Sequence, residues 1–288
     1  MDKFDNIGEN EIRIIGTNHE EKQPEQPKRR TRYIVAIVLA VLIISVLVVF
    51  LIRGCNDEPS APAENNCYKK VCEEDQGPSY VQIVDTIINN VSLHQYIPVN
   101  AKPKLVMGLL KEIPSQYILG AMAADIGLIQ DKYQVIGAFV YHGEMKSHSK
   151  SKFGFCAILK DTMVIGNELT TSYFEQAIAE KGDFFRQNAL IHEGKMVNKL
   201  LAKNKALRRS LCLMNDGRYC IIDTDMSVTV DDFAEALRQY GVREAISLMG
   251  SGAALRWAED KDGRKHIAGA DEYEFPDAIN YIVWEKSL

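Results

Sequence analysis

The sequence predicts an α+β domain, a mixed, mostly antiparallel β-sheet flanked by helices, preceded by one transmembrane helix. Three observations predict it. An uncharged apolar run, Tyr33 to Ile52, lies early in a chain of 288 residues. From Tyr117 onward, short β-rich runs alternate with turn dipeptides. Helical patterns fall between some of those strands but not in every connection, which argues against a regular parallel βαβ repeat.

Residues 1–32 are rich in Glu, Asn, Gln and Pro and poor in apolar side chains. Such a segment buries too little surface to offset its ordering entropy, so it reads as a disordered tail. Residues 33–52 follow. A helix of about twenty residues reaches about 30 Å, the thickness of the hydrocarbon core. Lys28, Arg29, Arg30 and Arg32 precede the run, and Asp57 and Glu58 follow Arg53. The basic flank stays in the cytoplasm, which places the C-terminal domain outside. A cleaved signal peptide has a shorter apolar core nearer the start of the chain. A lipoprotein signal ending at Cys55 would have arginine where a small or apolar residue is expected. The net charge is −5, and the one basic cluster abuts the membrane run, so nothing supplies the positive footprint of a nucleic-acid binder.

Residues 53–78 read as a stalk with Pro59, Pro62 and Pro78. Cys67 and Cys72 lie in it, and in an oxidising compartment they form a local disulfide loop. A zinc site would need a second pair at matching spacing, and none is evident, so no metal or cofactor is expected. Met214-Asn-Asp-Gly-Arg218 looks like a hairpin turn between Cys212 and Cys220, a second disulfide pair. A three-residue loop sets these cysteines opposite one another; a two-residue Asp-Gly turn offsets them. Cys156 sits in an apolar strand and reads as buried.

Residues 79–116 read as a helical lead-in. Val81, Val84, Ile87, Ile88 and Val91 recur at helical spacing, and Pro103 opens a second helix ending near Pro114. The outer domain proper is 117–288. Its strands are read at Tyr117–Met122, Val135–Tyr141, Phe153–Leu159, Met163–Gly166, Phe184–His192, Arg209–Met214, Tyr219–Asp223, Ala245–Met249, Ala254–Glu259 and Ile279–Glu285. His142-Gly143, Glu193-Gly194, Asp216-Gly217 and Asp262-Gly263 mark turns. One helix covers about Thr171–Lys181. A second is capped by Thr229, with Asp232 at the capping-box position and Val228 stapling against Phe233, and it ends at Gly241.

The order of these pieces carries a resemblance. Ala121-Met-Ala-Ala-Asp-Ile126, Val135-Ile-Gly-Ala-Phe-Val-Tyr-His-Gly143, Phe184-Phe-Arg-Gln-Asn-Ala-Leu-Ile-His-Glu-Gly-Lys195, Arg208-Arg-Ser-Leu-Cys-Leu-Met-Asn-Asp-Gly-Arg218 and Val230 through Gly250 follow one another before a closing strand, Ile279-Asn-Tyr-Ile-Val-Trp284. Together they resemble the phosphodiester glycosidase family, the group that includes the N-acetylglucosamine-1-phosphodiester uncovering enzyme. The chain looks like a branch typical of Bacteroidetes-type bacteria, which makes the outer compartment a periplasm and the membrane the inner one.

The resemblance implies chemistry on a bond between a sugar and a phosphate. That chemistry needs polar groups to hold the phosphate and stabilise a developing cationic sugar. Gln187 and Arg209 match family positions of that kind, and Arg209 can grip a phosphate with its fork of donors. Arg186 neighbours Gln187 and joins the expected substrate-binding set. Gly250 and Ser251, after a strand, can turn backbone N–H groups toward an anion. Two corners are remade. The family's Asn-Gly turn is Ala123-Ala124-Asp125, and its Asp-Gly-Gly-Gly-Ser turn begins at Met249. Methionine offers neither a metal ligand nor a partner for a sugar hydroxyl as aspartate does. No Gly-x-Ser-x-Gly elbow presents Ser251 as a nucleophile. Asp125, Asp183, Asp223 and Asp225 are candidate acids that read more simply as solvated turn carboxylates, and His142, His148 and His192 lack metal-ligand spacing. The expected partners are the membrane and a carbohydrate or sugar-phosphate ligand, bound with or without hydrolysis, and no nucleic acid.

Overall fold

A computed structural model of the chain describes residues 77–160, 162–197, 203–250, 254–269 and 276–287. The predicted tail, the membrane span and almost all of the stalk, with Cys67 and Cys72, lie outside the described residues, as does Ser251. Among the described residues no helix is long and apolar enough to cross a membrane.

The helical lead-in is the largest correction. Residues 80–107 form three strands: β1 (Tyr80–Ile88), β2 (Val91–Val99) and β3 (Ala101–Met107). The Val81–Val91 spacing fits a helix, but the segment is rich in β-branched residues, which favour an extended backbone. Asn89 and Asn90 both take positive φ, 51° and 62°, the two-residue hairpin turn that folds β1 back on β2. Pro103 lies inside β3 rather than opening a helix. It is tolerated because β3 is an edge strand, paired only with the closing strand.

From residue 117 the predicted strands recur with small shifts. They are β4 (Tyr117–Met122), β5 (Ile126–Ile129), β6 (Lys132–Val135), β7 (Ala138–Tyr141), β8 (Glu144–His148), β9 (Gly154–Ile158) and β10 (Met163–Asn167). Helix α1 (Tyr173–Ala179) follows, then β11 (Asp183–Gln187), β12 (Ala189–His192), β13 (Lys195–Met196), β14 (Arg209–Met214) and β15 (Tyr219–Asp223). Helix α2 (Val230–Gln239) leads to β16 (Val242–Ser247), β17 (Arg256–Glu259), β18 (Lys265–Ala268) and β19 (Asn280–Lys286). Thr229 caps α2 as expected, its hydroxyl accepting from the Asp232 N–H at 3.1 Å, and Gly241 leaves the helix with φ +90°.

The strands form three large sheets: β1-β2-β15-β14-β16-β12-β13, β10-β9-β11-β7-β8 and β18-β17-β4-β19-β3. A β5-β6 ribbon stands apart from them. Every pairing among the described strands is antiparallel, so the predicted mixed sheet resolves into antiparallel ones. One apolar core, with Tyr96, Leu105, Ile118, Phe139, Phe185, Leu211, Ile246 and Trp284, takes side chains from all three large sheets. Alternate residues of the seven-stranded sheet, including Leu93, Cys212, Cys220 and Ile222, face the other way and are covered by Phe233 and Leu237 of α2. Phe174 and Ala177 of α1 pack likewise on Phe155 and Phe184.

The predicted single strand Phe184–His192 breaks at Asn188. β11 belongs to the five-stranded sheet and β12 to the seven-stranded one, so Gln187 sits where the chain changes sheets. The crossing is tight: a Cβ on Gly154 would fall 2.6 Å from the Gln187 carbonyl oxygen.

Cys212 and Cys220 are directly opposite, as a three-residue loop requires. The predicted disulfide between them is corrected, however: both are free, buried thiols. Each sulfur has its own partner, Ser210 Oγ at 3.0 Å from Cys212 and Gln95 Nε2 donating to Cys220 at 3.3 Å. Burial beneath α2 holds the Cys212 thiol well above its usual range. That disfavours the thiolate through which disulfides form.

Candidate functional site

Antiparallel register builds the site. Asp85 on β1 lies opposite His94 on β2, His94 opposite Asp223 on β15, and Asp223 opposite Arg209 on β14. Directly opposed residues project from the same face with Cβ atoms about 5 Å apart. Four adjacent strands therefore carry one row of side chains, acidic, imidazole, acidic, cationic. It lies on the face shared with Tyr96 and Leu211, toward the other sheets.

A second arginine enters from another sheet. Arg256, on β17, donates from Nε to Asp223 Oδ2 at 3.1 Å, and Arg209 donates to the same oxygen from Nε and Nη2 at 3.4 Å each. All three side chains are less than a tenth exposed. Main-chain carbonyls orient the forks: Arg209 Nη1 donates to Ala254 at 3.1 Å and Arg256 Nη1 to His266 at 2.9 Å. The Arg256 guanidinium also stacks 4.2 Å from the centre of the Tyr96 ring. Arginine stays protonated even when burial lowers its pKa, as it does for Arg209. Two buried cations and one buried anion leave an excess positive charge. They sit in the wall of a cavity of about 340 Å³, also lined by His94, Tyr96, Arg208, Asp225 and Gly250. Gly250 must be glycine here: a Cβ would come 2.8 Å from the Arg209 Cβ.

His94 forms one shoulder of this cavity and of a larger one, about 680 Å³, toward Tyr80, Gln82, Asp260, Arg264 and His266. Its Nδ1 is 2.7 Å from Asp85 Oδ1. Its buried Nε2 approaches Asp225 Oδ2 at 3.3 Å, off the line of a good hydrogen bond. Burial alone would lower the His94 pKa, but the Asp85 and Asp225 carboxylates beside the ring outweigh it and raise it.

A second polar cluster surrounds Gln187. Its Nε2 donates to the Ala123 carbonyl at 3.0 Å and to Asp125 Oδ1 at 2.9 Å. Lys152 Nζ donates to Asp125 Oδ2 at 2.5 Å and to Gln187 Oε1 at 2.8 Å, with burial lowering its pKa against the pull of Asp125. Ser247 Oγ donates to Gln187 Oε1 at 3.3 Å. The segment Ser247–Gly250 links the clusters: the Met249 N–H donates to the same Ala123 carbonyl, and the Leu248 N–H donates to the Arg209 carbonyl.

The expected binding residues therefore divide. Arg209 and Gly250 meet in the cavity, and Gln187 lies at the other end of Ser247–Gly250. Arg186 does not join them. Being next to Gln187 in a strand it points the opposite way, and its guanidinium is taken up by the carbonyls of Lys152, Phe153, Glu168 and Leu169. Asp183 is structural, accepting the N–H groups of Leu105 at 3.0 Å and His142 at 2.8 Å. Sequence reasoning missed Asp85, His94, Tyr96, Lys152 and Arg256. The signal for the first three was the alternation along β1 and β2, hidden by reading that segment as helix. Among the described residues no three His, Cys, Asp or Glu side chains are grouped to hold a metal ion.

The sequence profile of the phosphodiester glycosidase family matches residues 121–281. The chain belongs to the phosphodiester glycosidase family. Among solved structures it is similar to the catalytic domain of zebrafish N-acetylglucosamine-1-phosphodiester α-N-acetylglucosaminidase, auto-inhibited by its pro-peptide. The TM-score is 0.51 at 13% identity, over 73% of this chain and 83% of that one. It is also similar to a hypothetical protein from Synechocystis, with a TM-score of 0.48 at 10% identity, over 72% of this chain and 62% of that one. No curated protein matches the chain. At 13% identity the likeness to the zebrafish enzyme speaks for the fold alone. The family match begins at residue 121, so β1 and β2, with Asp85, His94 and Tyr96, lie ahead of it.

Proposed function

We propose that this protein is a membrane-tethered phosphodiester glycosidase-like protein whose outer domain, in the periplasm, hydrolyses a sugar phosphodiester of the cell envelope in the Arg209–Arg256 cavity. The observation that carries this reading is the pair of buried guanidiniums sharing the single carboxylate of Asp223. Their excess charge and open cavity suit a phosphate, and charge-assisted N–H···O bonds to phosphate are among the stronger ones. Hydrolysis of the bond between an anomeric carbon and a phosphate oxygen builds cationic character on the sugar and negative charge on the departing phosphate. Fixed, buried guanidiniums stabilise that charge without reorganising. Family membership supports the reaction class. The uncharged run at 33–52 and its basic flank support the tether and the orientation.

A second reading, binding without hydrolysis, is favoured by Met249. The family's aspartate is replaced there by a side chain that packs against the apolar cluster of Met122, Trp257 and Tyr281. The deciding experiment follows release of reducing sugar from alkyl and aryl diesters of N-acetylglucosamine 1-phosphate, using the detergent-solubilised full chain with Arg209→Lys and Arg256→Lys as controls. Turnover lost in both variants supports hydrolysis. Saturable sugar-phosphate binding with no turnover supports the second reading, and neither binding nor turnover overturns both.

A further inference from the structure

The guanidinium pair accounts for the phosphate but leaves a proton unassigned. Hydrolysis splits water, and something must take its proton while the departing phosphate gains one. Among the described residues, His94 is the one imidazole lining the Arg209–Arg256 cavity. It stands opposite Asp223 in register, so its ring projects beside the carboxylate that holds both arginines. Asp85 anchors Nδ1 at 2.7 Å and fixes the ring plane. That leaves Nε2, buried and without a well-aligned partner, on the side of Asp225. Nε2 faces the Asp225 carboxylate at 3.3 Å, and Asp225 is 61% exposed, so a ligand oxygen reaches Nε2 when that side chain turns aside.

We propose that His94 hands a proton to the departing phosphate. This rests on the hydrolytic reading above. In the step, the bond between the anomeric carbon and the bridging oxygen breaks, and its electron pair leaves on the phosphate oxygen. That oxygen takes the Nε2 proton of the imidazolium. The water oxygen forms the new bond to the anomeric carbon from the face opposite the phosphate and releases its proton to solvent. Nε2 then regains a proton from solvent, so the enzyme ends as it began. The products are a free sugar and a phosphate monoester.

The imidazole must be protonated at the start, and its surroundings arrange this. The groups facing it are Asp85 from β1, Asp223 and Asp225 from β15 and its end, Arg208 just before β14, Arg209 from β14 and Arg256 from β17. Tyr96 lies on its own strand, and Asp260, Arg264 and His266 line the larger cavity beyond. Asp85 and Asp225, at 2.7 and 3.3 Å from the two ring nitrogens, favour the charged imidazole, and the Arg209 and Arg256 guanidiniums are themselves bonded to Asp223. β1 and β2, with the proton donor, lie ahead of the residues the family profile matches.

The test measures reducing-sugar release by the full chain between pH 5 and pH 10 for wild type, His94→Gln and Asp85→Asn. General acid catalysis contributes on the order of a hundredfold or more. His94→Gln is therefore expected to lose about that factor in kcat, with KM changed far less, and to lose the alkaline fall in rate. Asp85→Asn is expected to move that fall to lower pH. Unchanged kcat and pH profile in His94→Gln overturn the proposal. If that variant does not fold, an unmoved profile in Asp85→Asn overturns it alone. An inactive wild type overturns the hydrolytic reading together with this one, whereas an active wild type with indifferent variants overturns only the role of His94.

Discussion

Replacing Asp223 by asparagine keeps the side chain's shape and removes its charge, stranding two buried guanidiniums. Their nitrogens lie 3.1 and 3.4 Å from Asp223 Oδ2. At an effective dielectric of about 20, each attraction is worth on the order of 5 kcal/mol before desolvation is subtracted. The net cost of breaking a buried pair by removing one partner is smaller, about 3–5 kcal/mol. For a domain of this size each kcal/mol lowers Tm by about 2–4 °C, so Asp223→Asn melts roughly 6–20 °C early. The same variant has a sharper signature. Inorganic phosphate supplies the missing negative charge, and a ligand at a hundred times its Kd restores about 2.7 kcal/mol. Thermal denaturation of wild type and Asp223→Asn, in chloride and in phosphate at matched ionic strength, reads both effects. A variant that melts within a degree of wild type, or that gains no more from phosphate than from chloride, refutes the placing of an anion site between Arg209 and Arg256.

Two further outcomes are expected. The His94 pKa is raised in the fold, so its pairing with Asp85 contributes stability that is fully present below the unfolded value near 6.5 and is lost as pH rises through the folded value. In urea unfolding, the stability gap between wild type and Asp85→Asn is accordingly larger at pH 5.5 than at pH 9, and a gap that grows with pH contradicts the arrangement. Cys212 and Cys220, buried and unbridged, resist alkylation in the native protein and are both alkylated after denaturation without reductant; peptide mass spectrometry showing them joined contradicts the free-thiol state.

Much of the fold was legible from residue 117 onward because the sequence there carries short-range signals. Asp-Gly and Glu-Gly turns bound the strands, and the Thr229 cap and Gly241 bound α2 with chemistry that acts over a few residues. Residues 80–107 were misread because their apolar positions fit two periods at once. What separates the two is the positive φ of Asn89 and Asn90, a turn that only its paired strands make necessary. The Cys212–Cys220 register was legible as one of two turn lengths. The absence of a bridge was not, since it depends on Ser210, Gln95 and the cover of α2.

By itself the sequence determined the family order of strands, the membrane-like run at 33–52 and the arginine at position 209. Each of these is written in adjacent residues, through apolar length, turn chemistry and local pattern. Only the tertiary structure decided what Arg209 faces. Asp85, His94, Asp223 and Arg209 are scattered over more than a hundred residues and meet because four antiparallel strands set them in one register, and Arg256 joins them from another sheet. Strand pairing is a long-range choice, made by the burial of a shared core face, and no local pattern announces which residues it will set side by side.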